Sequence, residues 1–174
     1  MIKLKLLLEA KYKYGCVMCL VDQDTTKKIL NFNYSLIDDK HLYGAGSDKG
    51  RETTVHITAF YGLTKSYSEN KMQEFLKGVK PFKVKINGLS IFENDDFDVV
   101  KLDVSGKELS ALNNKFSKLP NENEFPDFKG HITLAYVKKG MGKKFITKKK
   151  KKFSNITINT IDYSDKGEHS YFNL

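Results

Sequence analysis

Two of the four histidines, His56 and His131, open the same tripeptide, in Val55-His-Ile-Thr-Ala-Phe-Tyr61 and Gly130-His-Ile-Thr-Leu-Ala-Tyr136. A repeat that runs beyond three letters is poorly explained by coincidence. In a strand, residues i and i+2 share a face while i+1 turns to the other. Each copy therefore sets an imidazole beside a hydroxyl, His56 with Thr58 and His131 with Thr133, and buries the intervening Ile57 or Ile132. With an ordinary imidazole pKa of about 6.5, one histidine can take a proton while the other gives one. The threonine hydroxyls can bond phosphoryl oxygens. These are the groups that cleavage of a phosphodiester requires. One His-x-Thr alone is more simply a half-buried strand histidine, but two copies 75 residues apart make an acid–base pair. His41 and His169 have no such threonine and read as surface residues.

Strands must carry both motifs, and the surrounding pattern supplies them. Thr53 to Tyr61 alternates and is β-branched, with Gly62 expected to end it, and Gly130 to Val137 is a second strand. Gly15 to Val21 reads as a buried strand with Cys16, Met18 and Leu20 on one face and Val17, Cys19 and Val21 on the other. Leu30 to Asp39 and the glycine-rich stretch 44–50 are expected to be irregular. Ser68 is a helix N-cap before the apolar stripe Met72, Phe75, Leu76 and Val79, predicting a helix over 69–79. Phe82 to Phe92 and Asp98 to Val104 alternate about an acidic turn and predict a hairpin. Leu109, Leu112 and Phe116 lie at helical spacing, residues 120–126 form a polar connector, and Phe153 to Tyr163 and Glu168 to Phe172 complete the strands. The 75-residue spacing lets each motif belong to its own strand, helix and hairpin lobe, with the two lobes facing across a cleft.

The 174 residues suit one domain, 1–174, with 40% apolar residues and few Pro or Gly, which excludes disordered, collagenous and disulfide-stapled classes. No apolar run reaches the length of a membrane span or signal-peptide core, so a cytoplasmic protein with no membrane partner is expected. Cys16 and Cys19 face opposite sides of their strand and read as small core residues rather than a zinc or redox pair. The net charge of +9 comes entirely from nine lysines between Lys138 and Lys152, which leaves an electrically balanced body. That segment reads as a solvated loop, or as an electropositive lip that attracts anionic nucleotides to the cleft.

The paired His-hydrophobic-Thr-hydrophobic motifs in a small α+β chain resemble the 2H phosphoesterase superfamily, whose defining signature they are. With Tyr14-Gly-Cys-Val-Met18 and Ile37-Asp-Asp-Lys-His-Leu-Tyr43, the motif blocks look like the phage anti-CBASS cyclic-oligonucleotide phosphodiesterases. The resemblance implies a two-lobed α+β fold, with antiparallel sheets around a central cleft and flanking helices. It implies degradation of the cyclic di- and trinucleotide signals of bacterial antiviral defence, in a host cytoplasm, without metal, cofactor or obligate protein partner. It carries catalysis to His56, Thr58, His131 and Thr133. Members of that family often hold bases on tryptophan, which this chain lacks, so Tyr12, Tyr14, Tyr171 or Phe172 would substitute, with Glu168 reading a base edge. Two rival readings remain open on the same residues. One is a 2H enzyme acting on linear 2′-5′ oligoadenylate or 2′,3′-cyclic-phosphate RNA ends. The other is a noncatalytic nucleotide- or RNA-binding module using the lysine segment.

Overall fold

Alternating burial along Gly15–Val21 makes it the first strand, β1, with Val17, Cys19 and Val21 in the core and Cys16, Met18 and Leu20 half-buried on the other face. The two cysteines thus face opposite sides, as expected, and both are free thiols. This computed structural model describes residues 13–44, 49–123, 125, 127–146, 153 and 155–174. Tyr12 and Lys148 to Lys152 lie outside the described residues.

The remaining strands are β2 (His56–Leu63), β3 (Phe82–Glu93), β4 (Phe97–Ser105), β5 (His131–Lys138), β6 (Ile156–Asp165) and β7 (Glu168–Asn173). Among the described residues, seven strands pair antiparallel in the order β2-β1-β6-β3-β4-β5, with β7 on β6. One long strand joins the halves. Phe82 to Val84 of β3 pair with β6, whereas Lys85 to Glu93 pair with β4. The result is a two-lobed α+β fold, one lobe built on β2-β1-β6-β7 and the other on β3-β4-β5. The two ends of the order, β2 and β5, pack against each other.

Among the described residues, four α-helices cover the core side of the sheets: α1 (Gln23–Leu36), α2 (Glu69–Leu76), α3 (Lys107–Phe116) and the short α4 (Gly142–Ile146). The caps follow from sequence. Ser68 accepts from the Lys71 N–H, and Asp22 accepts from the Thr25 N–H at 2.9 Å, starting α1. A single cluster of buried residues, including Val17, Ile57, Leu102, Phe116 and Ile132, lies behind both lobes. On the opposite face, His56, Thr58, His131 and Thr133 are half-buried. No helix among the described residues is long and apolar enough to cross a membrane.

Three expectations need correction. Residues 30–36 are not irregular but form the second half of α1, followed by a 3-10 turn at Asp39–His41. Asn33 interrupts the apolar stripe in the sequence, yet it is buried with Ile29, Phe32 and Leu36. Its Nδ2 donates to the Leu134 carbonyl oxygen at 2.7 Å, and the Arg51 guanidinium donates to its Oδ1 and its carbonyl oxygen. The buried amide is satisfied, so the helix closes over it. The second correction concerns the ends of β2, which begins at His56 instead of Thr53 and continues through Gly62. Gly62 adopts φ +110°, and a Cβ there would lie 2.8 Å from the Glu122 carbonyl oxygen. The glycine thus lets the connector cross the strand, with the Glu122 N–H donating to the Gly62 oxygen at 2.9 Å. Third, helix α2 ends at Leu76, where Gly78 with φ +81° turns the chain before the expected end at 79.

Candidate active site

The two motif strands are built alike beyond their shared letters. In β2, Thr58 faces Met18 and Phe60 faces Val17, so Ala59 is an extra residue in the ladder. In β5, Thr133 faces Lys101 and Ala135 faces Val100, so Leu134 is extra in the same way. A bulge of this kind shifts the side-chain alternation by one position. It brings Tyr61 onto the face of His56 and Thr58, and Tyr136 onto the face of His131 and Thr133, all half-buried, while Ile57 and Ile132 are fully buried.

Backbone bonds fix both imidazoles. His56 Nδ1 lies 2.9 Å from the Thr54 carbonyl oxygen and His131 Nδ1 lies 2.7 Å from the Lys129 carbonyl oxygen. A carbonyl only accepts, so each Nδ1 carries the hydrogen and Nε2 becomes the proton-transfer atom. The rings are close enough for the charge of His56 to disfavour protonation of His131.

The neighbours of the two copies differ. Leu20 and Met18 of β1 stand opposite His56 and Thr58, whereas Asp103 and Lys101 of β4 stand opposite His131 and Thr133. Phe92 of β3 meets the His131 ring edge to face at 5.0 Å. Burial holds the His131 imidazole below the ordinary histidine range, helped by the nearby cations of Lys101 and His56; the Lys129 carbonyl and Asp103 pull the other way. On the first lobe, burial pushes the Cys16 thiol up to about 12, and its sulfur shares a hydrogen bond with Thr58. Among the described residues, no group of three His, Cys, Asp or Glu side chains is arranged to hold a metal ion.

The expected base-holding residues are placed unevenly. Tyr14 packs edge-on against Tyr61 at 5.9 Å, and its hydroxyl donates to Glu122 Oε2. Tyr171 is 64% exposed and pairs with Asp162, which pairs in turn with Met18, opposite Thr58. It therefore shares the face of the first His-x-Thr pair. Phe172 is buried on the other face of β7 and is closed to a base. Strand alternation also sets the exposed Glu168 on the face opposite Tyr171, so these two residues do not converge.

Sequence reasoning missed several cleft residues. Tyr61 and Tyr136 were visible as a common His-x-Thr-x-x-Tyr spacing, but strict alternation would have buried them. The Lys101 and Asp103 pair looked like the polar face of a hairpin strand. His169 is exposed, as expected, and its Nδ1 donates to the buried Asp162 carboxylate at 2.8 Å while its ring stacks on Tyr171. His41 packs edge-on against Phe145. Of the lysine segment, Lys138 and Lys139 donate to backbone carbonyls and Lys143 pairs with Glu93, so these three are tied into the fold.

A family model described as the 2′-5′ RNA ligase superfamily matches residues 42–155. Among curated proteins, none matches significantly in sequence. Solved structures do match. Usb1 of Kluyveromyces marxianus superposes with TM-score 0.60 at 10% identity, covering 94% of this chain and 99% of that one. LigT of E. coli, complexed with phosphate, gives 0.59 at 14% identity over 93% of this chain and 94% of its own. TT0787 of Thermus thermophilus gives 0.61 at 13% identity over 92% and 94%. At such identities the likeness is one of fold.

Proposed function

The chain belongs to the 2′-5′ RNA ligase superfamily, the 2H phosphoesterases, and on that premise we propose that it cleaves 3′,5′ linkages in cyclic di- and trinucleotide signals of bacterial antiviral defence. The observation that supports the reading is the pair of equivalent His-x-Thr strands, whose imidazoles are both held at Nδ1 by a backbone carbonyl and lie close enough to interact. The cyclic substrate rests on the sequence blocks around Tyr14, Asp38 and the two motifs, and on the exposed Tyr171, three strands away on the same sheet face as Thr58, as a base platform.

The asymmetry of the lobes supports one order of proton transfer. His131, held below the ordinary histidine range by burial, is neutral at pH 7 and takes the proton of a ribose 2′-hydroxyl at Nε2. The 2′-oxygen bonds to phosphorus, the bond from phosphorus to the 5′-oxygen breaks, and His56 Nε2 gives its proton to that leaving oxygen. Thr58 and Thr133 hold the two non-bridging oxygens. The products are a 2′,3′-cyclic phosphate and a free 5′-hydroxyl, so charge and protons balance without an added co-reactant. Positioning and proton transfer supply the rate, with no metal-bound hydroxide in the sequence of steps.

A second reading, cleavage of linear 2′-5′ oligoadenylate or of RNA ends with a 2′,3′-cyclic phosphate, is favoured by the description of the matching family. Incubation in EDTA with cyclic di- and trinucleotides, 2′-5′ oligoadenylate and cyclic-phosphate RNA, with mass-resolved products, separates the two. Ring opening that is lost in both His56→Ala and His131→Ala is the expected result. Turnover of the linear substrates alone would transfer the site to the second reading. Binding without turnover of any of them would leave a nucleotide-binding module.

A further inference from the structure

We propose that Lys101 is a positioning residue: together with Ser90 it holds the Asp103 carboxylate in a closed network, so that His131, directly across from Asp103, keeps an Nε2 able to accept a proton. The inference rests on the reading of His131 as the base. Its geometry does not depend on the substrate.

Antiparallel register places Asp103 opposite His131 and Lys101 opposite Thr133, on the cleft face of β4. Side chains at such positions have Cβ atoms about 4.5–5.5 Å apart. A carboxylate in that position is the natural partner of a histidine, and an ion pair between them would hold the imidazole protonated and unfit to act as a base. The carboxylate is instead engaged elsewhere. Lys101 Nζ donates to Asp103 Oδ1 and, at 2.7 Å, to Ser90 Oγ, while Ser90 Oγ donates to Asp103 Oδ1 at 2.8 Å. The lysine is only 5% exposed, and its ammonium sits 4.2 Å above the Phe92 ring, the same ring that packs on His131.

A buried ammonium is costly unless it is paired, so this lysine needs Asp103 as much as Asp103 needs it. The groups facing His131 are then Asp103 and Lys101 from β4, His56 from β2, the Lys129 carbonyl and the Phe92 ring. Asp103 and the carbonyl favour the charged imidazole; Lys101, His56 and burial oppose it. The other copy explains why such a device is confined to one lobe. Leu20 stands opposite His56, so there is no acid for a lysine to occupy.

The test is an NMR titration of labelled histidines in the substrate-free full chain, comparing wild type with Lys101→Met, Lys101→Arg and the double variant K101M/D103N. The His131 midpoint should rise by about one pH unit or more in Lys101→Met, as for a group that gains an opposite charge at close range. It should return toward wild type in Lys101→Arg and in the double variant. An unchanged His131 midpoint in folded Lys101→Met overturns the proposal, and so does a rise that persists after Asp103 is neutralised. If Lys101→Met does not fold, Lys101→Gln decides: the His131 midpoint rises, and no rise overturns the proposal. Because the titration needs no substrate, a failure to find turnover would count against the proposed activity and leave this result standing.

Discussion

His56 and His131 are held by the same bond, from Nδ1 to the carbonyl oxygen two residues earlier in the chain, at 2.9 and 2.7 Å. The backbone just before each strand therefore chooses the tautomer, and side chains from the rest of the fold choose the charge. In the proposed reaction this division lets two nearly identical motifs take opposite parts.

Replacing either imidazole by asparagine should lower turnover about 10²-fold to 10⁴-fold, the usual worth of one acid or base. The double variant should be little worse than the poorer single one, because the two transfers act as a unit. Steady-state rates of the three variants, with circular dichroism as the fold control, check this. Near-normal turnover in His56→Asn would remove it from the reaction.

The acid limb of the rate profile should lie below the ordinary histidine value of about 6.5, since burial lowers the pKa of His131. A native pKa below the unfolded one also means that the unfolded chain binds more protons, so this residue's contribution to stability is lost as pH falls below about 6.5. His131→Gln should flatten that loss in urea melts between pH 7 and 5. Phe92→Ala, which opens the ring packed on His131, should move the acid limb upward.

Tyr171→Ala should raise KM and leave kcat nearly unchanged, because the ring is exposed and stands apart from the reacting atoms. A lost base stack of about 1–3 kcal/mol corresponds to roughly 5-fold to 150-fold in KM. An equal fall in kcat with unchanged KM would rule out this platform role.

Neither thiol should react with a disulfide reagent in the native protein at pH 8. Burial pushes both Cys16 and Cys19 up to about 12, so the thiolate that attacks is scarce as well as shielded. Both should label once urea unfolds the chain. Fast native labelling of Cys16 would mean that the cleft floor opens readily beside Thr58.

Gly130→Ala should destabilise the protein by about 1–3 kcal/mol, through overpacking. The added Cβ would lie 3.0 Å from both Leu109 Cδ2 and the Val104 carbonyl oxygen, where α3 and β4 close on the start of β5. The displaced residue is the neighbour of His131, so turnover should fall further than stability alone explains. Urea midpoints and rates at full folding separate the two effects.

The two His-x-Thr pairs were more legible than their surroundings. His-x-Thr on a strand needs only local periodicity, and the strands, the hairpin of β3 and β4, and α3 all followed from the same patterns. Helix α1 did not, because Asn33 looks polar in sequence and becomes apolar in effect once Leu134 and Arg51 satisfy it. The tyrosines at 61 and 136 were hidden by bulges, which depend on the partner strand and leave no mark in a single strand's alternation. Lys101, Asp103, Asp162 and His169 acquire meaning only from register. No spacing along the chain tells which residue stands opposite His131.

The passage of β3 through both lobes, and the position of β6 between β1 and β3, also fix when the site can exist. Strand β1 holds β2 on one side and β6 on the other, pairing residues 16–21 with residues 158–164. Contacts between such distant segments are slow to form, because a long loop must close before they repay its entropy. During synthesis the first motif emerges early, but its lobe lacks a neighbour until β6 has been made. The second lobe, with β3, β4 and β5 pairing in sequence, can assemble beforehand and offers β6 an edge at Phe82 to Val84. This topology predicts an order of assembly opposite to the order of the motifs, with the lobe of His131 forming first and the lobe of His56 closing onto it.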